Sequence, residues 1–328
     1  MTNSFIYHSI NSTEEIFNWK YLLRNYSLEK INREIDNYKA SCHIDSSIDN
    51  RIHSVINSLF SIDFLGHKFF PHFKYNIELK DISSNIPYYF FRIRKFSEEN
   101  EFEPNDKGIS YETLNIKEFQ TLSDVWERPS EHVNNFQRLN KPHESVLYTS
   151  LMSSTARLET RLKEKDFFAL IVYKHKSNFS YSDCTRFFYL NELSEEENMK
   201  RYILFNFLRE EFTRILPDSY SEGNQYCAAY HISQKFFISE NTHAIQYPST
   251  RGLGHYNFAF WGNIHENLDF VGFRVAELAS KKGTQSDMIV FADSFWNEKL
   301  NKFEYFSPNS DKSKQIFGDP YLSMVILK

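Results

Sequence analysis

The chain has 328 residues, 41% of them hydrophobic and 25% charged, with a net charge of −5 and a pI near 6.2. That balance suits one large or two modest soluble domains and argues against a broad nucleic-acid surface. Aromatic residues reach 17%, mostly from 32 Phe and 20 Tyr, and without an accompanying basic field they read as core rather than stacking platforms.

The first eighty residues read as helical. Ser12 to Glu15 has the spacing of a capping box, followed by Ile16, Trp19, Leu22, Leu23 and Tyr26 at helical intervals. Ile48, Ile52, Val55, Ile56, Leu59 and Phe60 form a second amphipathic face. From Pro87 the period changes to two, so Arg92 and Arg94 share one face of a strand while Phe91 and Ile93 share the other. A polar stretch from about Ser97 to Glu131 is long for a structureless connection.

Val146 to Tyr148 reads as a short strand, and Ser153 or Ser154 caps a helix running through Glu159 and Leu162. Phe167 to Tyr173 is the clearest central strand. Ser194 to Glu197 is a further capping box, opening a helix with Met199, Tyr202, Ile203, Leu208, Phe212 and Ile215 expected inward. Tyr226 to Phe237 reads as helix, leading into a strand that ends at Ser249. Phe270 to Leu278, a hairpin from Met288 to Phe306 and a segment from Tyr321 to Leu327 complete the chain.

Cys42, Cys184 and Cys227 are too scattered for a disulfide framework and read as reduced thiols. Cys42 and His43 with His53 lack a second cysteine pair, so no metal is expected. No secretory leader pattern or membrane-length apolar run is seen, and a cytoplasmic protein without a membrane partner is expected. His231 and His255 lack a nucleophile at a recognisable spacing and read as structural.

Four segments carry polar residues set into apolar surroundings. They are Phe91-Arg92-Ile93-Arg94, then Gln137-Arg138-Leu139-Asn140 before Val146-Leu147-Tyr148. Thr155-Ala156-Arg157-Leu158-Glu159 is the third, and Tyr247-Pro248-Ser249 followed by Asn257-Phe258-Ala259-Phe260 is the fourth. In this order they resemble the RES family, named for its Arg, Glu and Ser, whose members include toxins acting on NAD. The resemblance covers roughly residues 85 to 262. Gln137 stands where the family usually has glycine, and the segment after Asn140 also lacks one.

The resemblance implies an α+β fold of the ADP-ribosyltransferase type, a split β-sheet core with flanking helices that holds NAD in a cleft. It divides the chain into a helical N-terminal segment (1–82, for regulation or assembly), a RES domain (83–265) and a β-rich C-terminal extension (266–328). NAD is then a substrate to be cut rather than a hydride carrier. The one glycine cluster, Arg251-Gly252-Leu253-Gly254, does not match a dinucleotide fingerprint, and no phosphate loop is present.

Cleaving nicotinamide from ribose develops positive charge on the sugar, which a fixed carboxylate stabilises. Glu159 is the expected carboxylate. Arg92 and Arg138 are expected to fork onto the pyrophosphate, or one of them onto an attacking inorganic phosphate as co-substrate. Arg94 is their reserve. Tyr148 is expected to stack on the nicotinamide or adenine ring, Ser249 to hydrogen-bond the carboxamide or a ribose hydroxyl, and Asn257 to line the same pocket.

The activity expected is NAD phosphorolysis or hydrolysis, depleting NAD as a toxin in a toxin–antitoxin pair or as an antiviral defence effector. A mono-ADP-ribosyltransferase acting on a protein or nucleic acid, and a non-catalytic nucleotide sensor, are the alternatives. An antitoxin or regulatory protein and a second copy of the chain are candidate partners.

Overall fold

The computed structural model describes residues 13–41, 58–60, 62–64, 67–69, 73, 76–78, 88–96, 111, 116–176, 180–214, 226–238, 242–252, 254–282, 285–318 and 322. The chain opens with helices α1 (Thr13–Arg24) and α2 (Leu28–Ser41), then short strands β1 (Ile62–Phe64), β2 (His67–Phe69) and β3 (Asn76–Glu78). Strands β4 (Tyr89–Lys95) and β5 (Leu147–Ser150) lead to helix α3 (Ser153–Glu159), followed by β6 (Phe167–His175) and β7 (Ser180–Asp183). Next come helices α4 (Glu195–Thr213) and α5 (Cys227–Ile232), then strands β8 (Ala244–Pro248) and β9 (Tyr256–Phe260). Strands β10 (Leu268–Lys282), β11 (Gln285–Asn297) and β12 (Lys302–Phe306) precede the last helix, α6 (Asp311–Phe317). The fold is mixed α and β, with antiparallel strand pairs and one parallel pair, β7 with β8.

Two compact units form, and each draws on separate stretches of sequence. One comprises residues 1–79, 129–145 and 180–247, and the other 80–128, 146–179 and 248–328. These units do not follow the consecutive segments 1–82, 83–265 and 266–328 expected from sequence.

In the first unit, α1 buries Trp19, Leu22 and Leu23 at the expected spacing. Helix α2 falls within the stretch read as helical, although no apolar face stands out in its sequence, because half of its residues are Lys, Glu, Asn or Asp. Its apolar stripe is thin, with only Ile31, Ile35 and Tyr38 buried, and the Ser27 hydroxyl caps it by accepting from the Lys30 N–H at 3.2 Å. Short strands β1 to β3 also interrupt the helical reading of this region, and β3 pairs with β7. The second expected amphipathic face lies largely in residues 42–57, outside the described residues. Leu59 and Phe60, at its end, are buried.

Helix α4 has the expected capping box, Ser194 with Glu197, and only part of the expected inward face, since Leu208 and Phe212 are buried. Met199 and Tyr202 are 44% and 41% exposed, whereas Asn198 and Arg201 are buried. Asn198 turns inward to accept from the Leu190 N–H and donate to the Leu190 carbonyl, both at 3.0 Å. The Arg201 guanidinium sits about 5 Å from the rings of Trp19, Phe73 and Phe187 and donates to the Phe188 carbonyl at 2.6 Å. Polar residues therefore share the buried stripe in the first half of the helix, and an apolar count misjudges its direction there. Ile215 lies outside the described residues. The helix expected over Tyr226–Phe237 is α5 continued by a π turn over Ser233–Phe237.

In the second unit the strand order is β12-β11-β10-β6-β4-β5-β9. One face carries Tyr89, Phe91, Leu170, Val172, Ala276 and Leu278, which form a buried cluster with Ala156 of α3 and Phe317 of α6. The opposite face carries the arginines of β4 and is covered by residues 116–126, with Phe119 stacked on Phe273 at 4.5 Å. Part of the polar stretch is thus folded into a 3₁₀ turn at Leu122–Val125 and a second at Ser130–His132 in the first unit. Residues 97–110 and 112–115 lie outside the described residues. The expected Met288–Phe306 hairpin is the β11–β12 pair. The segment from Tyr321 to Leu327 lies outside the described residues except for Leu322, which is buried.

Candidate active site

Strand alternation and helix length together build the candidate site. Ser150 at the end of β5 lies opposite Asn257 on β9, so Tyr148, Ser150, Asn257 and Ala259 share one sheet face. The chain then enters α3, a seven-residue helix held to that side by Ala156 in the apolar cluster. Glu159 is its last residue, and Thr155 lies one turn earlier on the same side. A carboxylate at a helix C-terminus faces the negative end of the dipole, which costs about 0.3–1 kcal/mol. Glu159 is therefore not there for the helix.

Two neutral donors hold one oxygen of that carboxylate. The Ser249 hydroxyl donates to Glu159 Oε1 at 2.6 Å, and Asn257 Nδ2 donates to the same oxygen at 2.7 Å. The Ser150 hydroxyl donates to Asn257 Oδ1 at 2.6 Å, which fixes which end of the amide faces Glu159. The Arg251 backbone N–H donates to Ser249 Oγ at 3.0 Å, leaving that hydroxyl its proton for the carboxylate. Glu159 is half-buried, and among the described residues no cation pairs with it and its second oxygen takes no hydrogen bond.

The loop from Ser249 to His255 closes on itself beside this group. The Ser249 N–H donates to the His255 carbonyl at 2.8 Å, and His255 Nδ1 meets the Thr155 hydroxyl at 2.7 Å. Gly252 packs so tightly on this imidazole that a Cβ there would lie 2.7 Å from the ring. Gly254 takes a positive φ of 77°, which a side chain would resist.

Glu159, Ser249 and Asn257 are thus brought together as expected, and Tyr148 shares their sheet face, two residues from Ser150. Arg92 and Arg94 are not brought to them. Arg92 and Arg94 stand on the opposite face of β4 from Phe91, which packs with α3. Arg92 NH1 donates to the Trp126 carbonyl and Arg94 NH1 to the Asp124 carbonyl, the latter at 2.9 Å. The Tyr173 hydroxyl takes the intervening Val125 carbonyl. Burial and the neighbouring Arg92 guanidinium press Arg94 below the usual arginine range, and burial pushes the Tyr173 hydroxyl up to about 12. Together these three side chains brace the 122–126 turn on the sheet.

Arg138 belongs to the other unit. Its guanidinium donates to the Phe212 carbonyl and to the Arg214 carbonyl, the second at 3.0 Å, and lies 4.9 Å from the Tyr226 ring. It closes the C-terminal end of α4, where unsatisfied carbonyls favour a cation.

Sequence reasoning missed Ser150, Thr155 and His255, and read Arg251 only as part of a glycine cluster. Only the pairing of β5 with β9 and the closure of the 249–255 loop bring them to Glu159. Among the described residues, no group of three or more His, Cys, Asp or Glu side chains could hold a metal ion, and no helix is long and apolar enough to cross a membrane. No protein-family model, curated protein or solved structure matches the chain.

Proposed function

We propose that this chain cleaves the bond between nicotinamide and ribose in NAD, with Glu159 as the electrostatic catalyst. The observation that carries the reading is the Glu159 carboxylate, pinned through one oxygen by Ser249 and Asn257 and free of any cation among the described residues. Neutral donors fix the group in place without neutralising it. Its charge stays available to a cation supplied by a ligand.

The chemistry follows from that placement. As the glycosidic bond breaks, its electron pair moves to the nicotinamide nitrogen, which leaves neutral, and positive charge develops on the ribose. A preorganised carboxylate lowers that state in a site where little reorganisation is needed; groups of this kind contribute about 10²–10³ in rate. Water or inorganic phosphate then attacks the anomeric carbon. With water, a proton is released and ADP-ribose forms; with phosphate, ADP-ribose-1″-phosphate forms.

The resemblance to the RES family in the Glu159, Ser249 and Asn257 segments supports NAD as the substrate and an ADP-ribosyltransferase-like ancestry for the fold. NAD depletion as a toxin or defence effector is the biological role this reading implies, with an antitoxin or regulatory protein restraining it. The test is mass-resolved chromatography of NAD incubated with the protein, with and without phosphate, beside Glu159→Gln. Free ADP-ribose or its phosphate, lost in the variant, supports the reading. Label transferred to a macromolecule instead identifies a mono-ADP-ribosyltransferase, and tight binding without turnover identifies a sensor.

A further inference from the structure

NAD carries a pyrophosphate as well as a cationic ring, and the arginines expected to hold it donate to backbone carbonyls. Arg92 and Arg94 donate to carbonyls on the far face of the sheet, and Arg138 closes α4 in the other unit. We propose that Arg251 is the anion-holding residue of the Glu159 site, binding the pyrophosphate of the dinucleotide. This inference rests on the NAD reading above.

Three observations carry it. First, the Arg251 backbone is one hydroxyl away from the carboxylate, because its N–H donates to the same Ser249 Oγ that donates to Glu159. Second, Arg251 is half-buried and its guanidinium takes no hydrogen bond or ion pair among the described residues. An unengaged guanidinium in the same loop as Ser249, and a carboxylate without a cation, are both left for a ligand that carries the complementary charges. Third, the described residues on either side of Arg251 are tied down. Ser249 is tied to His255 and His255 to Thr155, there is no room for a side chain at Gly252, and the run from Ser249 to His255 contains no acidic residue. A guanidinium carried on that backbone can fork onto phosphate oxygens.

Equilibrium binding with two fragments separates the roles. ADP carries the pyrophosphate without the scissile bond, and nicotinamide riboside carries that bond without phosphate. Arg251→Gln is expected to weaken ADP by roughly 10- to 100-fold, the loss of a charged hydrogen bond or two, and to leave nicotinamide riboside within about twofold. Arg251→Lys, which keeps the charge but not the fork, should fall between. Arg161→Gln, an exposed arginine two residues beyond Glu159, is the control for a nearby charge without the loop. The inference is overturned if Arg251→Gln binds ADP as wild type does, if both fragments weaken alike, or if Arg161→Gln matches its loss. Wild-type protein that binds neither fragment overturns the NAD reading itself, and this inference with it.

Discussion

Asn257 Nδ2 donates to Glu159 Oε1 across 2.7 Å, tying strand β9 to the last residue of α3. The amide has no freedom to flip, because Ser150 donates to its other end. A carboxylate that would otherwise swing at a helix end is held in one orientation by a strand pair beneath it.

Asn257→Ala should therefore act on turnover more than on binding. We expect kcat for NAD cleavage to fall by about 10- to 100-fold, in the range of losing one fixed donor at a charged site, with KM changed less than threefold. Ser150→Ala, which loosens the amide without removing it, should fall short of that loss. Steady-state kinetics on both variants checks this. A rise in KM at constant kcat would mean that Asn257 binds substrate and does not position the carboxylate.

Arg92 separates family resemblance from geometry. Its donation to the Trp126 carbonyl beneath the 122–126 turn makes it a brace. Arg92→Gln should lower unfolding stability by about 1.5–3 kcal/mol, the range for a hydrogen bond to a charged group, and leave KM for NAD within twofold. Urea denaturation and kinetics on the same preparation test this. A large rise in KM with unchanged stability would return Arg92 to the phosphate-binding role expected from sequence.

Asp293 predicts a pH dependence. It is fully buried on β11, where the Ser313 hydroxyl donates to its Oδ2 at 2.5 Å and Arg274 Nε lies 3.3 Å from Oδ1. Burial raises its carboxyl above the ordinary range against the pull of Arg274, and burial likewise lowers Arg274. The native state then holds the Asp293 proton more tightly than the unfolded chain does. Its contribution to stability is complete below the ordinary aspartate value, about 3.9, and is lost as pH rises through the raised native value. Urea midpoints of wild type and Asp293→Asn, measured from about pH 4 towards neutral, should diverge in slope, with wild type losing more stability on the rise. Parallel curves would mean that the burial does not bias the proton.

The sequence made some of this legible and hid the rest for physical reasons. Glu159, Ser249 and Asn257 stand in short motifs whose residue types match one chemistry, so their convergence was readable before any fold. The period of two correctly put Arg92 and Arg94 on one face of β4. It could not say which face meets α3, because both faces of that strand are covered. In α4 the polar Asn198 and Arg201 occupy the buried stripe, so an apolar pattern pointed Met199 and Tyr202 inward when they are exposed. The interleaving of the two units was not readable either. It depends on pairings such as β3 with β7 and β4 with β6, which join segments far apart in the chain and leave no local signal.

On the proposed reading, Glu159 stabilises charge on a ribose from which nicotinamide is leaving. The most direct measurement is single-turnover cleavage of NAD by wild type and Glu159→Gln at matched fold, followed by release of nicotinamide. Glutamine keeps the shape and an oxygen for Ser249 and Asn257 but removes the charge. Nicotinamide release by wild type is expected, with a loss of about 10²–10³ or more in the variant and NAD binding retained. Release at the same rate from both proteins would contradict that reading.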